Sequence, residues 1–170
     1  GGGSTITQQL ARQLFTGVRS RNKLEAIVQK IKEWVIAIRL ERRYTKNEIV
    51  AMYLNIYDFN YSADGIRSAS SIYFSKAPDQ MSLSESAMLV GMLKNSSLYN
   101  PLRRPELVRE RRNIVYQQML RNNLIDQKQK DSLSALPIEI DFNPQSHREG
   151  VATYFRAYLQ KFMRSWVANN

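Results

Sequence analysis

The stretch LEAIVQKIKEWVIAIRLERRYTKNEIVAMYLNIY, Leu24 to Tyr57, decides the fold class. Apolar residues at Leu24, Ile27, Val28, Ile31, Val35 and Ile38 recur with a period of about 3.6, the stripe of one amphipathic helix. Thr45 and Glu48 then form a capping box: each side chain satisfies a backbone N–H that the helix start leaves free. Ile49, Met52, Tyr53 and Ile56 make the buried face of a second helix.

Helix signals continue outward. Asp64-Gly65 marks a turn, and a short helix follows toward Tyr73-Phe74. Ser82 and Glu85 make another capping box ahead of SAMLVGMLK, Ser86 to Lys94. That run is apolar nearly all round and belongs at the centre. Pro101 and Pro105 bracket a loop, and Pro105 suits the first turn of a helix running to about Asn122. Asp126 can cap one more helix before Pro137. PIEIDF, Pro137 to Phe142, is the one clear strand-like alternation. The closing GVATYFRAYLQKFMRSWV reads as a helix with a basic and aromatic face. The expectation is a mainly α domain over residues 1–143, followed by a tail segment, 144–170.

The chain has 170 residues, enough for one domain with a core, and its 43% hydrophobic content argues against global disorder. Lysine and arginine outnumber aspartate and glutamate by 25 to 15, a net charge of +10. That surplus favours nucleic acid, anionic headgroups or phosphorylated substrates without choosing among them. With no cysteine, disulfides and thiolate metal sites are excluded. The single histidine, His147, lies in a polar stretch and reads as solvated. The longest apolar run, Ala87 to Leu93, is far short of the roughly 20 residues of a bilayer span. No basic-then-apolar leader opens the chain. Any anchor or targeting segment is expected outside it.

Two places carry chemistry. Glu33 lies opposite the stripe centred on Leu24 and Ile31, with Lys30 at i−3 and Ala26 and Ala37 nearby. Small residues leave room for a ligand, and the lysine keeps the carboxylate ionised. An i,i+3 ion pair on a solvated face explains the same residues. The opening GGGSTITQQLARQLF offers hydroxyls at Ser4, Thr5 and Thr7, amides at Gln8 and Gln9, and Arg12 one turn after Gln8. These donors at a helix start suit a phosphate or a sugar. A capped helix behind a flexible linker is the alternative.

GGSTITQQLARQLF resembles the second motif of the peptidoglycan glycosyltransferases, glycosyltransferase family 51. These form the polymerase domain of class A penicillin-binding proteins and of monofunctional transglycosylases. KIKEWVIAIRLERRYTKNEIVAMYLN resembles the third motif, with Lys30 and Glu33 at its lysine and glutamate. ADGIRSASSIYFSK resembles the fourth, and LSESAMLVGMLKNSSLYNP with RERRN the fifth. The four motifs stand in family order over about Gly2 to Asn113. Three departures stand out. Gln29-Lys30 replaces the usual Arg-Lys. DFNYSAD is polar where the family often has small glycines. The first motif, Glu-Asp-x-x-Phe, has no counterpart.

The resemblance implies a lysozyme-like helical fold, truncated at its N-terminal side. It implies an enzyme that polymerises lipid II onto a growing glycan strand. The missing motif's glutamate would be the general base, and undecaprenyl diphosphate would leave with inversion. Glu33 would be the second family carboxylate. Ser4, Thr5, Gln8 and Gln9 would line the cleft. Arg12, Lys30 and one of Arg19, Arg21 or Lys23 would meet the diphosphate, with a divalent cation such as Mg or Mn in some members. Moenomycin-like inhibitors and a membrane surface would be partners, on the outer, periplasmic face of the cytoplasmic membrane. The tail resembles the bridge toward a transpeptidase domain. SRNK, Ser20 to Lys23, fits the Ser-x-x-Lys of that chemistry by chance, since Lys-Thr-Gly is absent. The isolated chain, without its base, is expected to be inactive. A lytic transglycosylase or lysozyme-like cleaver is the runner-up. A basic nucleic-acid-binding module built on RRPELVRERRN is the remote alternative, and no nucleic-acid partner is expected.

Overall fold

The computed structural model describes residues 4–17 and 20–144. α1 (Ile6–Ala11) starts at Thr5, whose hydroxyl accepts the Gln8 N–H, and runs straight into a π-helical turn, Arg12–Thr16. Gly17, at φ 62°, follows that turn in a backbone region open to glycine. Asn22 caps α2 (Lys23–Arg43), and the expected Thr45–Glu48 capping box starts α3 (Lys46–Ile56). α4 (Gly65–Phe74) leads through a short 3-10 turn to α5 (Leu83–Met92), which opens on the Ser82–Glu85 box. α6 (Pro105–Arg121) and α7 (Gln127–Ala135) complete the order. The proline start of α6 and the Asp126 cap of α7 are as read from the sequence.

The main core joins α4, α5 and α6 through Ile72, Tyr73, Phe74, Met88, Met92 and Val108. Tyr73 is fully buried, and its hydroxyl donates to the Phe59 carbonyl at 2.7 Å. A second cluster, Leu10 with Ile49 and Tyr53, fastens α1 to α3.

Two expectations need correction. PIEIDF is not a strand, and no strand occurs among the described residues. The segment is extended and lies against the end of α4, with Asp141 N–H on the Tyr73 carbonyl and Asn143 N–H on the Ile72 carbonyl. Ile138, Ile140 and Phe142 pack on the core, so the alternation reflects one buried side without a partner strand. Arg112, 1% exposed, holds the start of this segment through the carbonyls of Leu136 and Pro137.

The second correction concerns α2. Its apolar stripe does not enter the core: Leu24, Ile27, Val28, Ile31, Val35 and Ile38 are all exposed, as is Trp34. The buried side of α2 is the other one, where Glu33 and Ala37 meet α1. The expected tail helix lies outside the described residues.

Candidate active site

Glu33 is 4% exposed and sits where α2 faces α1 and the π turn. The small residues of this side admit α1, so the carboxylate is enclosed and is not on an open wall. Lys30 Nζ donates to its Oε2 at 3.0 Å, and the Thr16 hydroxyl donates to its Oε1 at 3.2 Å. Both oxygens of a buried charge are thus satisfied.

Lys30 reaches from this anchor toward solvent, its side chain 48% exposed. The same ammonium donates to Ser4 Oγ at 2.8 Å and to Gln8 Oε1 at 3.4 Å. One lysine of α2 therefore gathers a hydroxyl and an amide from the opening segment. Gln9 turns the other way. Its amide donates to the Ser4 carbonyl at 3.3 Å and accepts the Tyr53 hydroxyl at 2.9 Å. Burial pushes the Tyr53 phenol up to about 12, with Tyr57 adding to the rise and the Arg12 charge opposing it. Tyr53 thus remains a donor at neutral pH, and Arg12 lies within electrostatic reach of it. Arg12 itself is exposed and has no ion-pair partner among the described residues.

The sequence-derived set is therefore brought together unevenly. Ser4, Gln8, Lys30 and Glu33 form one contiguous group, and Gln9 joins it through Ser4. Thr5 serves as the cap of α1. Arg21 and Lys23 stand at the start of α2 and make no hydrogen bond or ion pair with any of these side chains. Arg19 lies outside the described residues.

A family model described as Transglycosylase matches residues 1–120. The chain belongs to the transglycosylase family. Penicillin-binding protein 1A of Escherichia coli (strain K12) is 36% identical over 168 residues, 99% of this chain and 19% of that protein. Penicillin-binding protein 1A of Aquifex aeolicus (strain VF5) is 38% identical over 168 residues, 99% of this chain and 22% of that protein. The chain thus spans about a fifth of the length of these curated relatives. The crystal structure of penicillin-binding protein 1A from Haemophilus influenzae matches at a TM-score of 0.51 and 21% identity, over 94% of this chain and 19% of that one. That likeness concerns the fold.

Sequence reasoning missed two contributors to this group of side chains. Thr16 was not singled out, because nothing in the sequence announces that a π turn will carry its hydroxyl to α2. The spacing of Tyr53 marks it as core only, although a buried tyrosine generally needs a hydrogen-bond partner. No group of three histidine, aspartate or glutamate side chains with metal-holding geometry occurs among the described residues. With both Glu33 oxygens engaged, these side chains do not form a metal cradle of their own.

Proposed function

We propose that this domain is a peptidoglycan glycosyltransferase that binds lipid II and the growing glycan strand through a diphosphate site built on Lys30. The observation that carries the reading is the meeting of Lys30, Ser4, Gln8 and Glu33. Residues of two motifs, far apart in sequence, converge on one half-exposed cation. Membership of the transglycosylase family supports the chemistry.

In this reading Glu33 is an anchor. Its buried charge fixes the Lys30 ammonium, which exchanges its Ser4 and Gln8 contacts for oxygens of the leaving diphosphate. Arg12 adds a second, uncompensated charge. Fixed cations facing developing negative charge lower the barrier to its departure. The proton of the acceptor 4-hydroxyl goes to a glutamate of the first motif, which this chain does not contain. The 170-residue chain alone is therefore inactive. Where a divalent cation takes part, it would add positive charge against the leaving diphosphate, and the roles of Lys30 and Arg12 would stand.

The exposed side of α2 supports a bilayer as the surface on which this happens, on the outer face of the cytoplasmic membrane. Leu24, Ile27, Ile31 and Trp34 project from a helix that also carries Lys23, Lys32 and Arg39. An apolar face flanked by cations on a chain of net charge +10 suits anionic headgroups over apolar tails. No described helix is long and apolar enough to cross a membrane.

The test is binding of undecaprenyl diphosphate in detergent micelles, with undecaprenol as the control. Binding should need the diphosphate, and Lys30→Ala and Arg12→Ala should each weaken it by roughly tenfold or more, the loss of a charge-assisted contact. Moenomycin-like phosphoglycolipids should compete. Equal retention of undecaprenol, or unchanged affinity in both variants, contradicts the assignment.

A further inference from the structure

We propose that Gln29 is a positioning residue: it ties Thr16 to Ser20 and thereby keeps the Thr16 hydroxyl on Glu33. The consequence for ligand binding rests on the reading of Lys30 as the diphosphate contact. The Gln29 side chain accepts the Ser20 N–H at Oε1, 3.1 Å, and donates from Nε2 to the Thr16 carbonyl, 3.3 Å. Ser20 is itself fixed to the start of α2: its hydroxyl donates to Glu25 at 2.6 Å and accepts the Asn22 N–H at 3.1 Å. The amide therefore links the end of the π turn to a point already held on the helix that carries Glu33.

Why this matters lies in the single hydroxyl proton of threonine. Thr16 Oγ1 is 3.2 Å from Glu33 Oε1 and 3.4 Å from the Arg12 carbonyl. The proton can serve one acceptor well. Held by Gln29, the backbone of Thr16 stays close to α2 and the carboxylate is served. Released, the hydroxyl turns to the carbonyl of its own π turn. Glu33 is then gripped at one oxygen only, and Lys30 loses its fixed aim toward Ser4 and Gln8.

The side-chain type is specific. An amide offers both a donor and an acceptor, and the two contacts require one of each. A cationic side chain such as arginine has donors only and cannot receive the Ser20 N–H. In this chain position 29 therefore carries a two-sided tie between Thr16 and Ser20.

The experiment compares the 170-residue chain with Gln29→Ala, Thr16→Val, Thr16→Ser and the Gln29→Ala/Thr16→Val double variant. NMR reads amide exchange at Ser20 and the carboxyl carbon shift of Glu33. Titration with farnesyl diphosphate reads binding. Gln29→Ala should speed Ser20 exchange by roughly fivefold, one lost neutral hydrogen bond. It should also move the Glu33 signal in the direction seen for Thr16→Val. Thr16→Ser should keep the wild-type signal. Gln29→Ala and Thr16→Val should each weaken binding by roughly 3- to 10-fold, and the double variant no more than Thr16→Val alone. An unmoved Glu33 signal in Gln29→Ala overturns the proposal, as does a double variant that multiplies both losses. If the unmodified chain does not bind farnesyl diphosphate, the reading of Lys30 fails, while exchange and the carboxyl signal still decide the role of Gln29.

Discussion

Lys30 Nζ stands 2.8 Å from Ser4 Oγ, a contact across 26 residues that seats a cation of α2 on the polar opening of the chain. The same nitrogen neutralises the buried Glu33. Removing the lysine alone should therefore cost more than removing both partners. Lys30→Ala should destabilise the fold by roughly 1–3 kcal/mol, because Glu33 keeps only Thr16. Lys30→Met combined with Glu33→Gln should recover most of that loss. Urea denaturation of the three chains measures it, and equal losses would mean that Glu33 is not a buried charge in need of a partner.

Lys76, two residues past the end of α4, pairs with Glu85 of α5 at 2.6 Å. Burial alone would raise the Glu85 carboxyl, but hydrogen bonds from Lys76 and from the Ser82 backbone and hydroxyl outweigh it and hold it below the usual carboxylate value. The folded state thus keeps this charge more tightly than the unfolded one. Its contribution is full above the unfolded value and is lost as pH falls through the lower folded value. Glu85→Gln keeps a capping residue but loses the pair. It should be less stable by roughly 0.5–1 kcal/mol at neutral pH. That gap should close in acid, and stability curves of both chains across pH provide the measurement. A gap independent of pH would assign it to packing.

Asn60, Tyr61 and Ser62 stand at φ 67°, 54° and 62°, three consecutive left-handed residues without a glycine among them. Ser62→Gly should stabilise by roughly 0.5–1 kcal/mol, since the left-handed penalty exceeds the entropy that glycine loses. Gly65→Ala should do the reverse. Its Cβ would lie 2.4 Å from the Asn55 carbonyl oxygen at φ +79°, so the turn must move. Melting temperatures of the two variants, shifted in opposite directions, check both statements.

The outward face of α2 should bind vesicles. Flotation with anionic vesicles should recover the chain, and Ile27→Asp with Ile31→Asp should reduce partitioning by at least roughly tenfold, the loss of buried aliphatic surface. Neutral vesicles and high salt should weaken it. Partitioning unchanged by the aspartates would remove the bilayer from this face. Dimerisation abolished by them would give the face to a second copy instead.

The sequence carried the helical class, because capping chemistry is local: Thr45 with Glu48, Ser82 with Glu85 and Asp126 with Gln129 each start the helix they mark. It could not say which side of α2 is buried. Periodicity finds a stripe but not its partner, and here the polar side with Glu33 meets α1 while the stripe stays outside. PIEIDF shows the same limit, since one-sided burial against a helix end gives the alternation of a strand. Lys30 and Glu33 were legible as a pair. Their link to Thr16 was not, because it depends on the extra residue of a π turn.

In the proposed function this chain carries the diphosphate half of a polymerising site, with the base supplied by a first motif. The direct measurement is glycan length from lipid II, for the 170-residue chain and for a chimera with the Glu-Asp segment of a relative fused ahead of Gly1. No polymer should form from the chain alone, and long glycan should form from the chimera. That product should fall roughly 10²–10⁴-fold when the added glutamate becomes glutamine. Polymer from the chain alone would contradict it and move the base to Glu33.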